Sequence, residues 1–192
     1  MLICLFGGVT AFDDDGKAVD LGTQKCQAVL ASLALSAGAV VPVGRIVDRV
    51  WGEDPPRTAE KTLQSYVTRL RKGLGAESIV RVGAAYRLAI EPDQVDVVRF
   101  QRLLRVGDHD GALAAWAGTP LAGLTAPGLD AVVDGLVEQW LGVVEIDLGS
   151  KIETDPGAAV GVAGELALET AVFLGLACLA LTLTSVVPIL TT

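Results

Sequence analysis

The segment from Pro55 to Gly75 constrains the fold more than any other part of the chain. Pro55-Pro56 interrupts regular structure before Thr58, a suitable helix cap, and Glu60 then lies in the first turn, where a negative charge suits the helix dipole. At 100° per residue, one side of the predicted helix is apolar and the opposite side is polar and cationic. The apolar side carries Leu63, Tyr66, Val67, Leu70 and Leu74; the opposite side carries Lys61, Ser65, Thr68, Arg69 and Lys72, with Gln64 and Arg71 on its flanks. The first side is expected to pack on a core, which leaves the second free to contact a partner.

Shorter patterns surround this helix. Residues 26–37 and 43–51 show the apolar spacing of two helices, and each is closed by a glycine. Residues 79–82 and 86–90 are rich in β-forming side chains and predict a hairpin.

The chain opens with a second predicted hairpin. An apolar run over residues 2–12 is followed by Asp13-Asp14-Asp15-Gly16 and then by residues 17–21. Asp-Gly between such runs is a strong turn signal, so we interpret the aspartates as a solvated turn rather than a metal or phosphoacceptor pocket. Strands, three helices and a final hairpin together form the outline of a winged helix-turn-helix.

Charge is unevenly divided along the chain. The formal net charge is −8, yet residues 1–105 hold 14 Lys and Arg against 12 Asp and Glu, whereas residues 106–192 hold 1 against 11. Within residues 61–87, six basic residues stand against Glu77 alone. Such a local surplus indicates either a polyanionic partner or a solvated helix face, and the charges by themselves leave both open.

Motifs typical of enzymes are absent from the sequence. It contains no phosphate-binding loop, zinc-protease, serine-hydrolase or dinucleotide-binding motif, and its one histidine, His109, stands in the string Asp-His-Asp at 108–110. We interpret that string as a polar turn rather than a metal site. Cys4, Cys26 and Cys178 lack CxxC spacing, which favours a reducing compartment over a disulfide framework. We therefore predict no catalytic residues, no cofactor and no metal.

The pattern of the second half predicts helices that pack on one another. Residues 95–106, 111–117 and 129–148 keep helical apolar spacing, and Asp155-Pro156 is typical of another helix start. Because this half is acidic, we expect it to contact a protein partner rather than DNA.

The end of the chain is apolar. No charged residue follows Glu169, and an apolar stretch from Ala171 to Leu190 has about the length of a bilayer-spanning helix. Three interpretations stay open: a buried terminal helix, an altered reading frame or deletion, and a tail anchor. Polar residues within the stretch and the lack of a flanking basic cluster disfavour the membrane. The N-terminal apolar run has no preceding basic residue, which disfavours a signal peptide.

Several segments resemble a known family. The run LGTQKCQAVLASLALSAGAVVPVGRIVDRVWGEDPPRTAEKTLQSYVTRLRKGLG, followed by IVRVGAAYRL and VDVVRFQRLL, resembles the N-terminal portion of SARP-type bacterial transcriptional activators. Trp116, Gly118 and the residues 120–124 are similar to a later motif of that family. The resemblance covers about residues 2–165. It implies an α+β fold in which an OmpR-type winged helix-turn-helix with N-terminal β-strands precedes an all-α helical-repeat, TPR-like activator domain that is incomplete here.

The resemblance also implies an organisation and a function. We expect a DNA-binding domain at 1–92, a partial bacterial transcriptional activator domain at 93–170 and an apolar tail at 171–192. A cytoplasmic, sequence-specific regulator would bind double-stranded DNA as a homodimer on repeated half-sites and contact RNA polymerase. The alternatives are a protein-interaction module without DNA binding and a truncated competitor that does not activate.

The expected DNA contacts lie on the third helix and the last hairpin. Arg69, which we expect at the centre of the free side, is assigned to base readout because a guanidinium can donate two parallel hydrogen bonds to guanine, with Gln64, Ser65 and Thr68 as polar neighbours. Lys61, Arg71 and Lys72 are assigned to phosphates. The last hairpin would be the wing, carrying Arg81 and Arg87. The family-like GxGYR is Gly83-Ala84-Ala85-Tyr86-Arg87 here, which lacks the second glycine.

Overall fold

In the computed structural model, which describes residues 1–154, the beginning of the chain folds back on itself. Strand β1 (Leu2–Cys4) pairs antiparallel with β2 (Thr10–Phe12), so the apolar run over residues 2–12 is not one strand. Gly7 and Gly8, with φ of 71° and 126°, allow this reversal, because side chains with a Cβ rarely adopt such angles. The predicted turn after Phe12 is present: the Asp13 amide donates to the Lys17 carbonyl at 3.0 Å.

Three helices and a three-stranded sheet follow. Their bounds are α1 (Gln24–Ala34), β3 (Val40–Pro42), α2 (Val43–Trp51), α3 (Ala59–Leu74), β4 (Ile79–Val82) and β5 (Ala85–Leu88). The sheet has the order β3-β5-β4 and is antiparallel throughout. The predicted helices and the final hairpin are observed, whereas β3 is too short to leave a pattern in the sequence. The α+β prediction is confirmed.

Local sequence explains most of the helix ends. Thr23 caps α1, since its side chain accepts a hydrogen bond from the Cys26 amide. Gly52 ends α2 with φ 66°. Thr58 precedes α3 as expected but makes no capping hydrogen bond through its side chain, so the helix begins without the predicted cap.

The apolar sides of these helices meet in one core. Each large apolar side chain buried there stabilises the fold by about 1.5–3 kcal/mol relative to exposure. The fully buried members include Leu30, Leu33, Ile46, Val50, Leu63, Val67, Leu70, Ile79 and Leu88. On the side of α3 predicted to pack, Leu63, Val67 and Leu70 are buried, whereas Tyr66 and Leu74 are half-buried. The opposite side faces outward.

Within residues 92–154, the regular elements are helices, apart from isolated β-bridges at Val95 and Pro120. Two 3-10 turns (Pro92–Gln94 and Pro127–Leu129) flank α4 (Asp96–Arg105) and α5 (His109–Ala115), and α6 runs over Asp130–Thr154. The string at 108–110 is a helix start rather than the predicted turn, because the Asp108 carboxylate accepts from the Gly111 amide at 2.9 Å and caps α5.

The N-terminal strand is joined to this helical part. The buried carboxylate of Asp96 accepts hydrogen bonds from the amides of Leu5, at 2.8 Å, and Phe6, at 3.0 Å. Burial raises the pKa of Asp96, although these hydrogen bonds oppose the rise. The Phe6 ring lies 4.6 Å from that of Trp116, which stacks on Trp140 at 5.2 Å. Residues Met1–Leu141 form one compact unit, and a second begins at Gly142.

Several predictions concern residues that the structure does not describe. The helix expected from Asp155 and the apolar tail at 171–192 lie outside residues 1–154, and the partition into 1–92, 93–170 and 171–192 stays a prediction. No helix within the described residues is long and apolar enough to span a membrane.

Candidate nucleic-acid interface

Five of the predicted contact residues lie together on α3. Lys61, Gln64, Ser65, Thr68 and Lys72 are all exposed, and their helical spacing places them on one side, opposite buried Leu63, Val67 and Leu70. We call these five residues the α3 outer face. Its two lysines lie near the ends of the helix, and its three uncharged polar side chains lie between them.

Two hydroxyls of the outer face are already used as donors. Ser65 Oγ donates to the Lys61 carbonyl at 3.3 Å, and Thr68 Oγ1 donates to the Gln64 carbonyl at 2.9 Å. Such bonds one turn back along a helix are common for these residues. The hydroxyl oxygens keep lone pairs that can accept from a ligand, while donation to a ligand requires the hydroxyl to rotate.

Arg69 lies at the edge of the outer face rather than at its centre. Its Nη2 donates to Asp20 Oδ2 at 3.0 Å, and its side chain is 52% exposed. A Cβ on Gly22 would overlap Arg69 Nε and come within 2.7 Å of Cζ, so the guanidinium lies against the turn at Asp20–Gly22. The structure therefore places Arg69 beside the outer face and gives it a carboxylate partner that the helical spacing could not reveal.

Arg71, on the other flank, connects α3 to the wing. Its Nε donates to the Ile79 carbonyl at 2.8 Å, and its side chain is half-buried. This bond fixes the start of β4 against the end of α3. A phosphate contact by Arg71 stays a prediction, and the terminal nitrogens would have to supply it.

Strand register separates the two arginines of the wing. Arg81 pairs with Tyr86 and shares its face with that buried ring, whereas Arg87 pairs with Val40 and Val80 on the opposite face. Arg81 lines a cleft of about 90 Å³ together with Gln64 and other residues of α3. The structure thus brings Arg81 to the outer face, while Arg87 lines a separate depression with Glu91 and Gln94.

The sequence analysis did not include one cationic residue that lies near the α3 outer face. Arg57 precedes α3, is exposed, and lines a groove of about 600 Å³ with Lys61 and Gln64. The basic count taken over residues 61–87 stopped short of it. Its position before the first helical turn was the available signal, because cations bordering a polar helix face are suited to phosphates.

Two thiols of the described region are structural in character. Burial raises the pKa of the Cys26 thiol to about 11, which keeps it protonated at neutral pH. Burial also raises the pKa of Cys4. Among residues 1–154, no group of histidine, cysteine and acidic side chains is arranged to hold a metal ion.

Comparison with a protein-family model identifies the helical and wing region. The model described as "Transcriptional regulatory protein, C terminal" matches residues 16–88, which include α1, α2, α3 and the three-stranded sheet. The match begins after the N-terminal strands and ends at the last residue of β5.

Known proteins resemble a larger part of the chain. Regulatory protein DnrI of Streptomyces peucetius is 31% identical over 89% of this chain and 71% of its own length. Regulatory protein AfsR of Streptomyces griseus is 30% identical over 78% of this chain, which spans 17% of that relative. A solved structure, Mycobacterium tuberculosis EmbR in complex with low affinity phosphopeptide, matches with a TM-score of 0.68 and 25% identity over 90% of this chain and 49% of that one.

The matching family model describes a transcriptional regulatory protein and the relatives are regulatory proteins, which confirms the prediction of a non-enzymatic protein. Similarity to DnrI extends well beyond the helical and wing region, over most of both chains. The chain belongs to the SARP-type family of bacterial transcriptional regulators, and its DNA-binding region is of the OmpR type.

Proposed function

We propose that the chain binds double-stranded DNA in a sequence-specific manner, with α3 in the major groove and the β4–β5 hairpin at the backbone or the adjacent minor groove. One observation carries this proposal: the α3 outer face is polar, cationic and exposed on a helix whose other side is buried. A helix about 10–12 Å in diameter fits a groove about 12 Å wide. Membership of a DNA-binding family supports the same partner.

The outer face suggests a role for each side chain. Lys61 and Lys72 are eleven positions apart, or about 16 Å along the helix, which suits contacts to phosphates on both sides of a groove. Gln64, Ser65 and Thr68 lie between them, at the height of the base edges. Base readout by the flanking Arg69 requires its guanidinium to use donors that Asp20 does not occupy.

The wing and the flanks would complete the contact surface. Arg81 adjoins α3 and is suited to a phosphate or the minor groove, as is the terminal part of Arg71. Arg87 stands on the opposite sheet face, so a contact by it needs DNA that bends around the wing. Arg57 extends the positive surface at the start of α3.

Family membership suggests how the bound chain works. We propose a homodimer on repeated half-sites in the cytoplasm, with residues 93–170 contacting RNA polymerase and residues 1–92 contacting DNA. The chain spans 71% of DnrI and 17% of AfsR, so activation by this chain is part of the proposal. A chain that occupies its sites without activating is the competing possibility, and a transcription assay with purified polymerase separates the two.

Salt dependence tests the DNA proposal. The full chain selects duplexes from a random pool, and fluorescence anisotropy then gives the affinity at several salt concentrations. With about five phosphate contacts, log K falls against log salt with a slope of about −4 to −5. A flat response would contradict the proposal and favour a protein-interaction module without DNA binding.

A matched pair of lysine variants locates the contact. Lys72→Ala should reduce the salt slope by about 1, because one phosphate contact is lost. Lys17→Ala removes another exposed charge, from the turn after β2, and should leave the slope unchanged. Equal effects of the two variants would show that net charge, rather than the α3 outer face, controls binding.

A further inference from the structure

An acidic side chain sits at the border of the α3 outer face. Asp20 is 81% exposed and pairs with Arg69 at 3.0 Å, although the two residues are 49 positions apart. An exposed carboxylate beside a surface proposed to meet phosphates is unfavourable for binding, because like charges repel. Its position therefore requires a reason other than affinity.

The carboxylate of Asp20 is held from two directions. Its Oδ1 accepts from the Gly22 amide at 2.8 Å, which closes a tight turn, while Oδ2 accepts from Arg69. Gly22 has φ of 79°, as that turn requires. The orientation of the carboxylate is thus set by its own turn, and the arginine adapts to it.

The same turn packs against α3 at two places. Gly22 lies under Arg69, where a Cβ would overlap the guanidinium. One helical turn further on, a Cβ on Gly73 would come within 2.6 Å of Val19 Cγ1. Because neither glycine carries a side chain, the segment 19–22 can lie close to the helix. The closeness of that segment restricts the positions open to the Arg69 side chain.

We propose that Asp20 is a positioning residue that makes Arg69 discriminate between DNA sequences. The inference rests on the proposed function. A free arginine is long and flexible enough to reach a phosphate on any duplex. When Nη2 donates to Asp20, the rigid guanidinium is held in one orientation, which fixes the directions of its remaining donors. Sequences that place an acceptor there are bound, and elsewhere the carboxylate repels the backbone, so Asp20 lowers affinity for random DNA more than for the preferred sequence.

The test compares Asp20→Asn with a matched control. The amide can still accept from Gly22 but loses the charge that holds Arg69. Asp93→Asn removes the carboxylate of another exposed pair, Arg102–Asp93 at 2.7 Å, which lies outside the α3 outer face. Each full-length variant is titrated with two duplexes of equal length, one selected from a random pool by the unaltered chain and one with that sequence scrambled.

We expect Asp20→Asn to lower the ratio of specific to scrambled affinity about tenfold, chiefly through tighter binding to the scrambled duplex. Asp93→Asn should leave that ratio unchanged. Arg69→Lys keeps the positive charge but removes the rigid, planar guanidinium. In that background, Asp20→Asn should change the affinity ratio little further. Urea unfolding of every variant checks that the fold is retained.

The possible outcomes distinguish failure of this inference from failure of the proposed DNA binding. An unchanged ratio in Asp20→Asn overturns the inference and leaves DNA binding intact. A full effect of Asp20→Asn in the Arg69→Lys background also overturns it, because the carboxylate then acts by charge alone. If the unaltered chain binds neither duplex in a salt-dependent way, the proposed function itself fails, and the inference fails with it.

Discussion

Replacing Asp96 with alanine tests the connection between the N-terminal strand and the helical part. Both carboxylate oxygens accept from the Leu5 amide, at 2.8 and 2.9 Å, and one also accepts from Phe6 at 3.0 Å. Asp96 is 8% exposed and Leu5 is fully buried. Each buried donor that loses its acceptor costs about 1–3 kcal/mol, so Asp96→Ala should lower the free energy of unfolding by about 2–6 kcal/mol.

Urea denaturation followed by tryptophan fluorescence measures this loss, since Trp116 and Trp140 lie in the aromatic cluster beside Phe6. Asp93→Ala serves as the control, because its ion pair is exposed on both sides and exposed pairs contribute about 0–1 kcal/mol. A loss below about 1 kcal/mol for Asp96→Ala would refute the reasoning, because it would mean that water or another acceptor satisfies the two amides.

The other predictions concern pH and four glycine positions. Because the pKa of Asp96 is raised in the folded chain above its ordinary value of 3.8, the stability that this group contributes below that value is lost as pH rises through the folded pKa. The difference in unfolding free energy between the unaltered chain and Asp96→Ala should therefore shrink as pH rises from 3.8 through the folded pKa of Asp96, and a constant difference would contradict the raised pKa. Gly16→Ala and Gly22→Ala both place alanine at positive φ, 77° and 79°, but only the second meets Arg69. Urea titration should show about 1 kcal/mol of loss for Gly16→Ala and roughly 1 kcal/mol more for Gly22→Ala; equal losses would mean that Arg69 moves away freely. Gly128→Ala should cost about 1–3 kcal/mol, because its Cβ would overlap the Asp48 carbonyl and lie 2.6 Å from Arg49 Cα. Gly135 lies within α6, and a Cβ there would meet no atom within 4 Å, so Gly135→Ala should instead stabilise the fold by about 0.5–1 kcal/mol. If both substitutions changed the free energy of unfolding in the same direction, the backbone near Gly128 would have moved to make room for the alanine.

Periodicity in the sequence was sufficient to predict the helices and the final hairpin. Apolar spacing depends on the residues of one element, and for α3 it separated the buried side from the outer face. It could not locate the reversal inside residues 2–12, because Gly7-Gly8 resembles a minor interruption in an otherwise apolar strand. The three residues of β3 were likewise too few to show a period.

The candidate site was predictable only as far as one helix defines it. Helical angles placed Arg69 on the free side of α3, but its partner Asp20 comes from a turn far away in the sequence. The faces of Arg81 and Arg87 depend on the register between β4 and β5, which a linear pattern does not specify. Contacts between distant segments therefore account for what sequence reasoning missed.

The attachment of the first strand to residues beyond 92 matters for anyone who isolates the DNA-binding part. A fragment cut after residue 92 would lack Asp96, Phe100 and Trp116, leaving Phe6 and the Leu5 amide uncovered. Such a piece would be prone to aggregate for reasons unrelated to its affinity for a duplex. A fragment that ends at Leu141, where the first compact unit ends, retains Asp96, Phe100 and Trp116.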